Sequence, residues 1–289
     1  MNRYIVLQKI VELGGFTRAA EALGYTQSCV SQMVASLENE LSMKLLIRSR
    51  HGVKLTQEGE ELYPFIERTV NQYRAMQEKA REIQGLETGV IRVGTISSIT
   101  CHWMPALIKG FKERYPNVQF LFHQGDYTLI PEWIHAGTID FGFINPAVHT
   151  GLKTQVIKDG EMLAVLPRAH PLARRERIRL ADIAQEPFIL LEEGQYSEPM
   201  AAFAAAGIAP NIQYTIHDDY AIMTMVEAGL GVSILAELML RRTNYETVCL
   251  PVDPPVYRTL AIAYKDKSSL PIASKRFIQY LLDHRDELA

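Results

Sequence analysis

Along the first part of the chain, apolar residues recur at steps of three and four and are interrupted by glycines. Ile5, Leu7, Ile10, Val11 and Leu13 predict a helix over residues 1–13, ended by Gly14-Gly15. Thr17 is expected to cap a second, short helix carrying Ala19, Ala20 and Leu23, which Gly24 stops. Thr26 caps a third, in which Val30, Val34, Leu37 and Leu41 form one buried stripe. Gln27, Ser28, Ser31, Gln32 and Ala35 fall off that stripe and make an exposed face with few charges. The stretch "LLIRSRHGVKLTQEG" then predicts a small β-hairpin turning at Gly52, a wing bearing Arg48, Arg50, His51 and Lys54. Thr56, Glu58, Glu60 and Glu61 announce the N-terminus of a long helix running to residue 86. On it Gly59, Leu62, Ile66, Thr69, Tyr73, Met76, Ala80 and Ile83 alternate steps of three and four. A heptad seam of that length expects a partner helix, most simply from a second copy of the chain.

From "GVIRVGT" onward the period changes to strand, helix, strand, helix. Strands are predicted at 90–95, 118–122 and 139–144, with helices at 103–115 and 129–136. A second series follows, with strands at 162–166, 188–191, 212–216 and 232–235 and helices at 200–206 and 221–228. Strands near residue 248 and at 260–263 and a helix at 272–284 close the chain. The alternation implies parallel βαβ units in two similar α/β lobes with a cleft between them. The expected domains are residues 1–57, three helices and a hairpin; 58–88, a linker and dimerisation helix; and 89–289, a two-lobed α/β domain.

Charge sharpens this division. The chain of 289 residues has a net charge of −3, but residues 1–57 hold seven Lys and Arg against four Glu, a net +3, which leaves −6 for the rest. An electrostatic footprint confined to the N-terminal part fits this asymmetry. Hydrophobic residues at 47% and charged residues at 22% are ordinary for a folded globular protein. No run of about 18 apolar residues occurs, and the opening segment lacks the apolar stretch of a signal peptide, so a cytoplasmic protein with no membrane partner is expected. Three widely spaced cysteines, Cys29, Cys101 and Cys249, fit reduced thiols. Cys29 and Cys101 are expected to serve packing.

Signals of catalysis are poor. The sequence has no GxSxG elbow, Walker loop or HExxH, and "GLGVS" at 229–233 lacks the third glycine of a dinucleotide fingerprint. The eight histidines are scattered without metal-ligand spacing. No catalytic residue, metal or cofactor is therefore assigned. A helix pair joined by a tight turn, with an amide- and hydroxyl-bearing face and a basic hairpin after it, instead matches a winged helix-turn-helix. Amides and hydroxyls can pair with base edges in the major groove, and Arg or Lys can neutralise phosphates. Thr17, Arg18, Thr26, Gln27, Ser28, Ser31, Gln32, Arg48, Arg50 and Lys54 are the DNA-contacting candidates.

The segments "GGFTRAAEALGYTQ", "VSQMVASLENEL" and "LLIRSRHGVKLTQEG" resemble, in this order, the motifs of the LysR-type transcriptional regulators. Leu46, Ser42 and His51 depart from the residues usual there. "GVIRVGTISSITCHWMPALIKGFKERYPNV", "AGTIDFGF" and "EAGLGVSIL" extend the resemblance along the rest of the chain. It implies an α+β N-terminal winged helix-turn-helix, a long linker helix and a C-terminal α/β effector domain of two lobes similar to periplasmic binding proteins. It further implies a sequence-specific DNA-binding regulator that is a homodimer through the linker helix and assembles to a tetramer. Double-stranded promoter DNA, a small-molecule effector and RNA polymerase are the partners it implies.

Ligands of open α/β sheets bind beyond the C-terminal ends of the strands. Ser97, Ser98 and Thr100 stand where the first such strand gives way to a helix, a position that relatives in this family often use for a ligand carboxylate. Asp126, Asn145, Glu192, Glu193 and Asp218, together with Gln124, Gly125, Pro146 and His217, follow other strands. The acids among them disfavour a simple dicarboxylate and suggest an effector with an amino or cationic part. Two rival readings, a ligand-free architectural DNA-binding protein and a cleft enzyme fused to a DNA module, lack supporting residues in this sequence.

Overall fold

In a computed structural model the described residues are 1–49, 52–83, 89–241 and 244–288, with the backbone alone at 48, 49, 78 and 81–83. The chain divides into two compact units, Met1–Leu86 with Ala136–Thr138, and Glu87–His135 with Ile139–Ala289.

The first unit opens with α1 (Asn2–Leu13), α2 (Phe16–Leu23) and α3 (Gln27–Leu41), followed by β1 (Leu46–Ser49), β2 (Gly52–Leu55) and α4 (Gln57–Ile83). Gly14 and Gly24 end α1 and α2 in the left-handed region, φ 66° and 69°, where a side chain would be strained. The expected cap at Thr17 is not made: Gly15 occupies the N-cap of α2 in an extended conformation and Phe16 already lies inside the helix. Phe16 is drawn in because it fills the core with Val6, Ile10, Ala19, Ala20, Val30 and Val34. Thr26 does cap α3, accepting a hydrogen bond from Cys29 N at 3.3 Å. Thr26→Ala is expected to lower the stability of this unit by about 1 kcal/mol in denaturant unfolding, with no change in the fold.

Glu38, a residue that sequence reasoning passed over, fixes the approach to the wing. Its carboxylate accepts from Lys44 Nζ at 2.7 Å, Leu45 N at 2.9 Å and Leu46 N at 3.3 Å. Burial opposes its charge, but the Lys44 ammonium and the two backbone donors outweigh that and hold its pKa below the usual range. Val53 N donates to Gly14 O at 3.3 Å, tying β2 to the end of α1.

The heptad seam on α4 is divided. Gly59 lies so close to Leu45 O that a Cβ there would stand 2.3 Å from it, and Ile66 with Val70 packs on Leu7, Leu37 and Leu45. The first two turns of the seam therefore serve the unit's own core. Farther along, Thr69 and Ala80 are exposed and Met76 is 59% exposed, while Phe65, outside the seam, is 62% exposed. The expected run of the helix to residue 86 passes outside the described residues.

The second unit contains β3 (Val90–Thr95), α5 (Ser97–His102), α6 (Met104–Arg114), β4 (Gln119–Gln124), α7 (Leu129–Ala136), β5 (Phe141–Ile144) and β6 (Lys153–Pro167). It continues with β7 (Ile178–Arg179), α8 (Leu180–Ile183), β8 (Phe188–Leu191), α9 (Glu198–Ala205), β9 (Ile212–Ile216) and α10 (Asp219–Glu227). Then come β10 (Ser233–Ala236), α11 (Glu237–Leu240), β11 (Thr247–Tyr264) and α12 (Ile272–Asp283). The main sheet runs β10-β6-β11-β5-β3-β4, β7 joins β11, and β8 pairs with β9 beside it.

The βαβ units are parallel as the alternation implies: β3 with β4, β3 with β5, and β8 with β9. The rest corrects the expectation. The short strands expected at 162–166, near 248 and at 260–263 belong to two long antiparallel strands, β6 and β11, which pair with each other. Their register shifts between Pro251 and Val256 and again between Leu260 and Ala261, and β11 passes from one core to the other between Val256 and Leu260. Leu260, Ile262 and Ala263 join Ile91, Val93, Phe141 and Phe277 in one lobe, whereas Val252 and Val256 join Leu166, Ile178, Phe188 and Phe203 in the other. In the first lobe Gly94 faces Gly142, and a Cβ on either would come within 2.4 Å of Ile139 or 2.3 Å of Ile130. These two glycines let the α7 side chain Ile130 lie directly on the sheet.

Candidate nucleic-acid interface and effector cleft

The N-terminal half of α3 exposes what the sequence predicts. Thr17, Arg18, Thr26, Gln27, Ser28 and Gln32 are exposed, and Ser31 is half-buried. Gln27 Nε2 donates to Ser31 Oγ at 3.2 Å, and the Thr26 and Ser28 hydroxyls are 3.1 Å apart. Those groups thus lie side by side at the start of the helix, where unpaired backbone N–H groups and the dipole favour an anion. No acid stands in the first turn of α3; Glu40, far along it, is paired with Arg3 at 2.7 Å. This surface presents neutral donors and acceptors with a positive helix end behind them.

In the wing, Leu46 pairs with Leu55, Ile47 with Lys54 and Arg48 with Val53. Leu46 and Val53 turn toward the core, while Lys54 is exposed. The side chain of Arg48, and Arg50 and His51 in the turn, lie outside the described residues.

In the second unit a cleft of about 380 Å³ lies beyond the C-terminal ends of β3, β4, β8 and β9. Ser97, Gln124, Asp126, Glu192, Glu193 and His217 line it, along with Tyr127 and Asp219, which sequence reasoning did not single out. Ser97 joins the two lobes across it: its hydroxyl accepts from Gln124 Nε2 at 2.8 Å and donates to Asp219. Asp126 caps α7 through Thr128 N at 2.7 Å and Leu129 N at 2.8 Å.

The other predicted residues are placed elsewhere. Thr100 turns its hydroxyl into the helix, onto Ile96 O and Thr95 Oγ1, both at 3.1 Å. Ser98 lines a separate hollow of about 120 Å³ with Trp103 and Arg258. Asp218 is the N-cap of α10, accepting from Ala221 N at 2.8 Å. Cys101, expected in packing, is exposed and receives the Tyr220 hydroxyl at 3.5 Å.

Asn145 belongs to a buried polar cluster under the cleft. Its Nδ2 donates to Glu198 Oε1 at 2.8 Å, and the Tyr127 hydroxyl donates to the same oxygen at 3.1 Å. Arg258 Nε donates to Tyr127 Oη at 2.8 Å, and Arg258 Nη2 to Glu193 Oε1. Arg258, at 3% exposure, is thus the buried cation between lobes: Tyr127 and Asn145 follow β4 and β5, and Glu193 and Glu198 come from the β8–α9 side. Burial works against its charge, but Glu193, Tyr127 and Glu198 more than offset that and hold its pKa well above the ordinary value. Burial, with Glu198 and Asp219 close by, pushes Glu193 up to about 8 despite Arg258, and burial also raises Asp219. No spacing in the sequence pointed to Arg258 or Glu198, which lie 60 positions apart and meet only through the fold.

Comparison with known proteins agrees with both units. Residues 1–60 match the family described as bacterial regulatory helix-turn-helix protein, lysR family, and residues 84–286 match the LysR substrate binding domain. The chain is similar to an uncharacterized HTH-type transcriptional regulator of Bacillus subtilis (strain 168), YvbU, with 33% identity over 277 residues, covering 95% of this chain and 94% of the relative. It shares the fold of full-length CbnR complexed with its target DNA, with a TM-score of 0.72, 19% identity and coverage of 98% and 99%. Its second unit is similar in fold to the effector binding domain of QuiR in complex with shikimate, with a TM-score of 0.63 and 23% identity over 69% of this chain and 98% of that one. The chain therefore belongs to the LysR family of DNA-binding transcriptional regulators, with an N-terminal helix-turn-helix and a C-terminal two-lobed substrate-binding domain.

Proposed function

We propose that α3 enters the major groove and that Gln27, Ser28, Ser31 and Gln32 read base edges there, while Arg18 and the wing residues Arg48, Arg50 and Lys54 bind phosphates. The observation that carries this reading is the run of neutral amides and hydroxyls exposed at the N-terminal end of α3. The domain limits 1–57, 58–88 and 89–289 accompany it. The effector enters the cleft against Ser97, Asp126, Glu192, Glu193 and Asp219 and stabilises one arrangement of the lobes, which shifts the oligomer between DNA-bound states. Ser98, Thr100, Asn145 and Asp218 support that site from behind rather than touching the ligand.

Dimerisation through α4 is favoured by Phe65, Thr69, Met76 and Ala80, which fall within about 60° of arc at 3.6 residues per turn and are exposed in a single chain. Two sheet edges also carry exposed apolar residues, Leu121 and Phe122 on β4 and Ile212 and Tyr214 on β9. Such edges favour a second contact between copies, and hence a tetramer. A cytoplasmic regulator that meets RNA polymerase at the promoter completes the reading; among the described residues no helix is long and apolar enough to cross a membrane.

Selection of bound duplexes from a random library by the full-length chain tests it. A dimer presenting two α3 helices should enrich half-sites related by a two-fold axis and spaced by about one helical turn or a multiple of it. Enrichment of no common sequence would sink the reading.

A further inference from the structure

The cleft has an excess of negative charge that its own fold leaves uncompensated. Asp126, Glu192, Glu193 and Asp219 line it, and neither Lys nor Arg is among the described residues that do. There the buried Glu193, at 8% exposure, and Glu198 behind it, at 3%, share the guanidinium of Arg258, whose charge also acts on the buried Asp219. Arg258 already donates to Glu193 and Tyr127, and one carboxylate oxygen of Glu198 is buried with no hydrogen-bond partner among the described residues. The N-termini of α10 and α7 are taken by their own acidic caps, Asp218 and Asp126. With Glu193 ionised, a deficit of about one positive charge or more remains inside the cleft.

We infer that the effector is an organic amine whose ammonium group enters this cleft as the counter-ion of Glu193 and Asp219. The inference rests on the reading of the cleft as the effector site. An ammonium brings three donors and no acceptor, which suits a wall of four carboxylates with neither Lys nor Arg among its described residues. A dicarboxylate of the same length would meet like charge on both sides. The cleft holds about 380 Å³, space for roughly a dozen non-hydrogen atoms at about 30 Å³ each. Polar contacts for the rest of such a molecule are at hand in Ser97 and Gln124.

The cleft also carries its own competitor for an ammonium. Near neutral pH Glu193 holds a proton, because burial and the neighbouring Glu198 and Asp219 raise its pKa to about 8 against the pull of Arg258. The other groups facing it are Tyr127 and Asp126 from the β4–α7 turn, Glu192 beside it and His217 after β9. An entering ammonium replaces that proton, so binding releases it and tightens as pH rises toward about 8.

The test is thermal melting of the full-length chain with 1,4-diaminobutane, 1,4-butanediol and succinate at matched millimolar concentration. These four-carbon probes differ only in carrying ammonium, hydroxyl or carboxylate ends. The diamine alone is expected to raise Tm, with an apparent Kd that falls up to about tenfold per pH unit between about pH 6 and pH 8. Asp219→Asn should abolish most of that shift, and so should Glu193→Gln. A stabilisation by succinate without one by the diamine would overturn the amine assignment and leave the cleft as the effector site. No shift with the diamine also overturns it. A diamine shift untouched by both substitutions would place the binding elsewhere and overturn the reading of the cleft itself.

Discussion

The full-length chain carrying Gln27→Ala and Ser31→Ala together is expected to bind its selected DNA site at least about 30-fold more weakly than the unchanged chain. Each well-placed base contact contributes about 1–3 kcal/mol of discrimination, so two contribute about 2–6 kcal/mol, or roughly 30-fold to more than 10⁴-fold. The loss should fall on the selected site and spare unrelated DNA, because the phosphate contacts proposed for Arg18 and Lys54 are untouched. A folding artefact is guarded against by the chemistry of the substitution. Alanine is the strongest helix former, and the Gln27–Ser31 hydrogen bond it removes is exposed. Urea midpoints should therefore differ little. Gel-shift titrations at one salt concentration, on selected and scrambled duplexes, read the outcome; equal discrimination by both chains would mean that α3 does not read bases.

The second large effect lies under the cleft. Arg258→Met keeps the volume of the side chain but leaves Glu193 and Glu198 facing each other, and Tyr127 Oη without its donor. Removing one partner of a buried ion pair typically costs about 3–5 kcal/mol, far more than an exposed pair, because the remaining charge stays out of water. The pH dependence separates this from lost packing. Glu193 has a folded pKa of about 8 against an ordinary 4.5, so its charge opposes folding, and wild-type stability falls as pH rises through that window. Without Arg258 the charge is opposed more strongly. The deficit of the variant should hence be smallest near pH 5, where Glu193 is protonated in both chains, and grow toward pH 8. A deficit that is the same at every pH would mean that Arg258 acts as packing alone.

Most short elements were legible because each has a local cause. Gly14 and Gly24 stop their helices, Thr26 caps its own, and β8 and β9 are short apolar runs between turn residues. What was not legible depends on distance in sequence. Strand β11 contains "VDPPVY", a Pro-rich interruption that reads as a turn, yet the strand continues through a register shift and passes from one lobe's core to the other's. Strand β6 contains "KDGE" and reads the same way for the same reason. The heptad seam on α4 was a pattern of the right period, but periodicity cannot say which turns face their own domain. Ile66 and Val70 fill the space between α1 and Leu45.

The candidate cleft was legible only as a set of strand ends. Which residue at each end faces inward depends on a single step along a helix or loop: Ser97 lines the cleft and Ser98 does not, and Asp219 does where Asp218 caps. Arg258 was hidden for another reason. It sits in "VYRTLAIA", where an arginine between apolar residues looks like the solvent side of a strand. Only the approach of Glu193, Glu198 and Tyr127 from other elements reveals why it is buried.

The measurement that bears most directly on the central claim, that this chain recognises DNA sequence through α3, is its specificity ratio. Affinities of the full-length chain for a selected site and for a scrambled duplex of the same length and composition are compared at one near-physiological salt concentration. The account predicts a ratio of about 10³ or more for the unchanged chain, as base readout adds to the phosphate contacts common to both duplexes. A ratio near one, with both affinities falling in parallel as salt is raised, would contradict it.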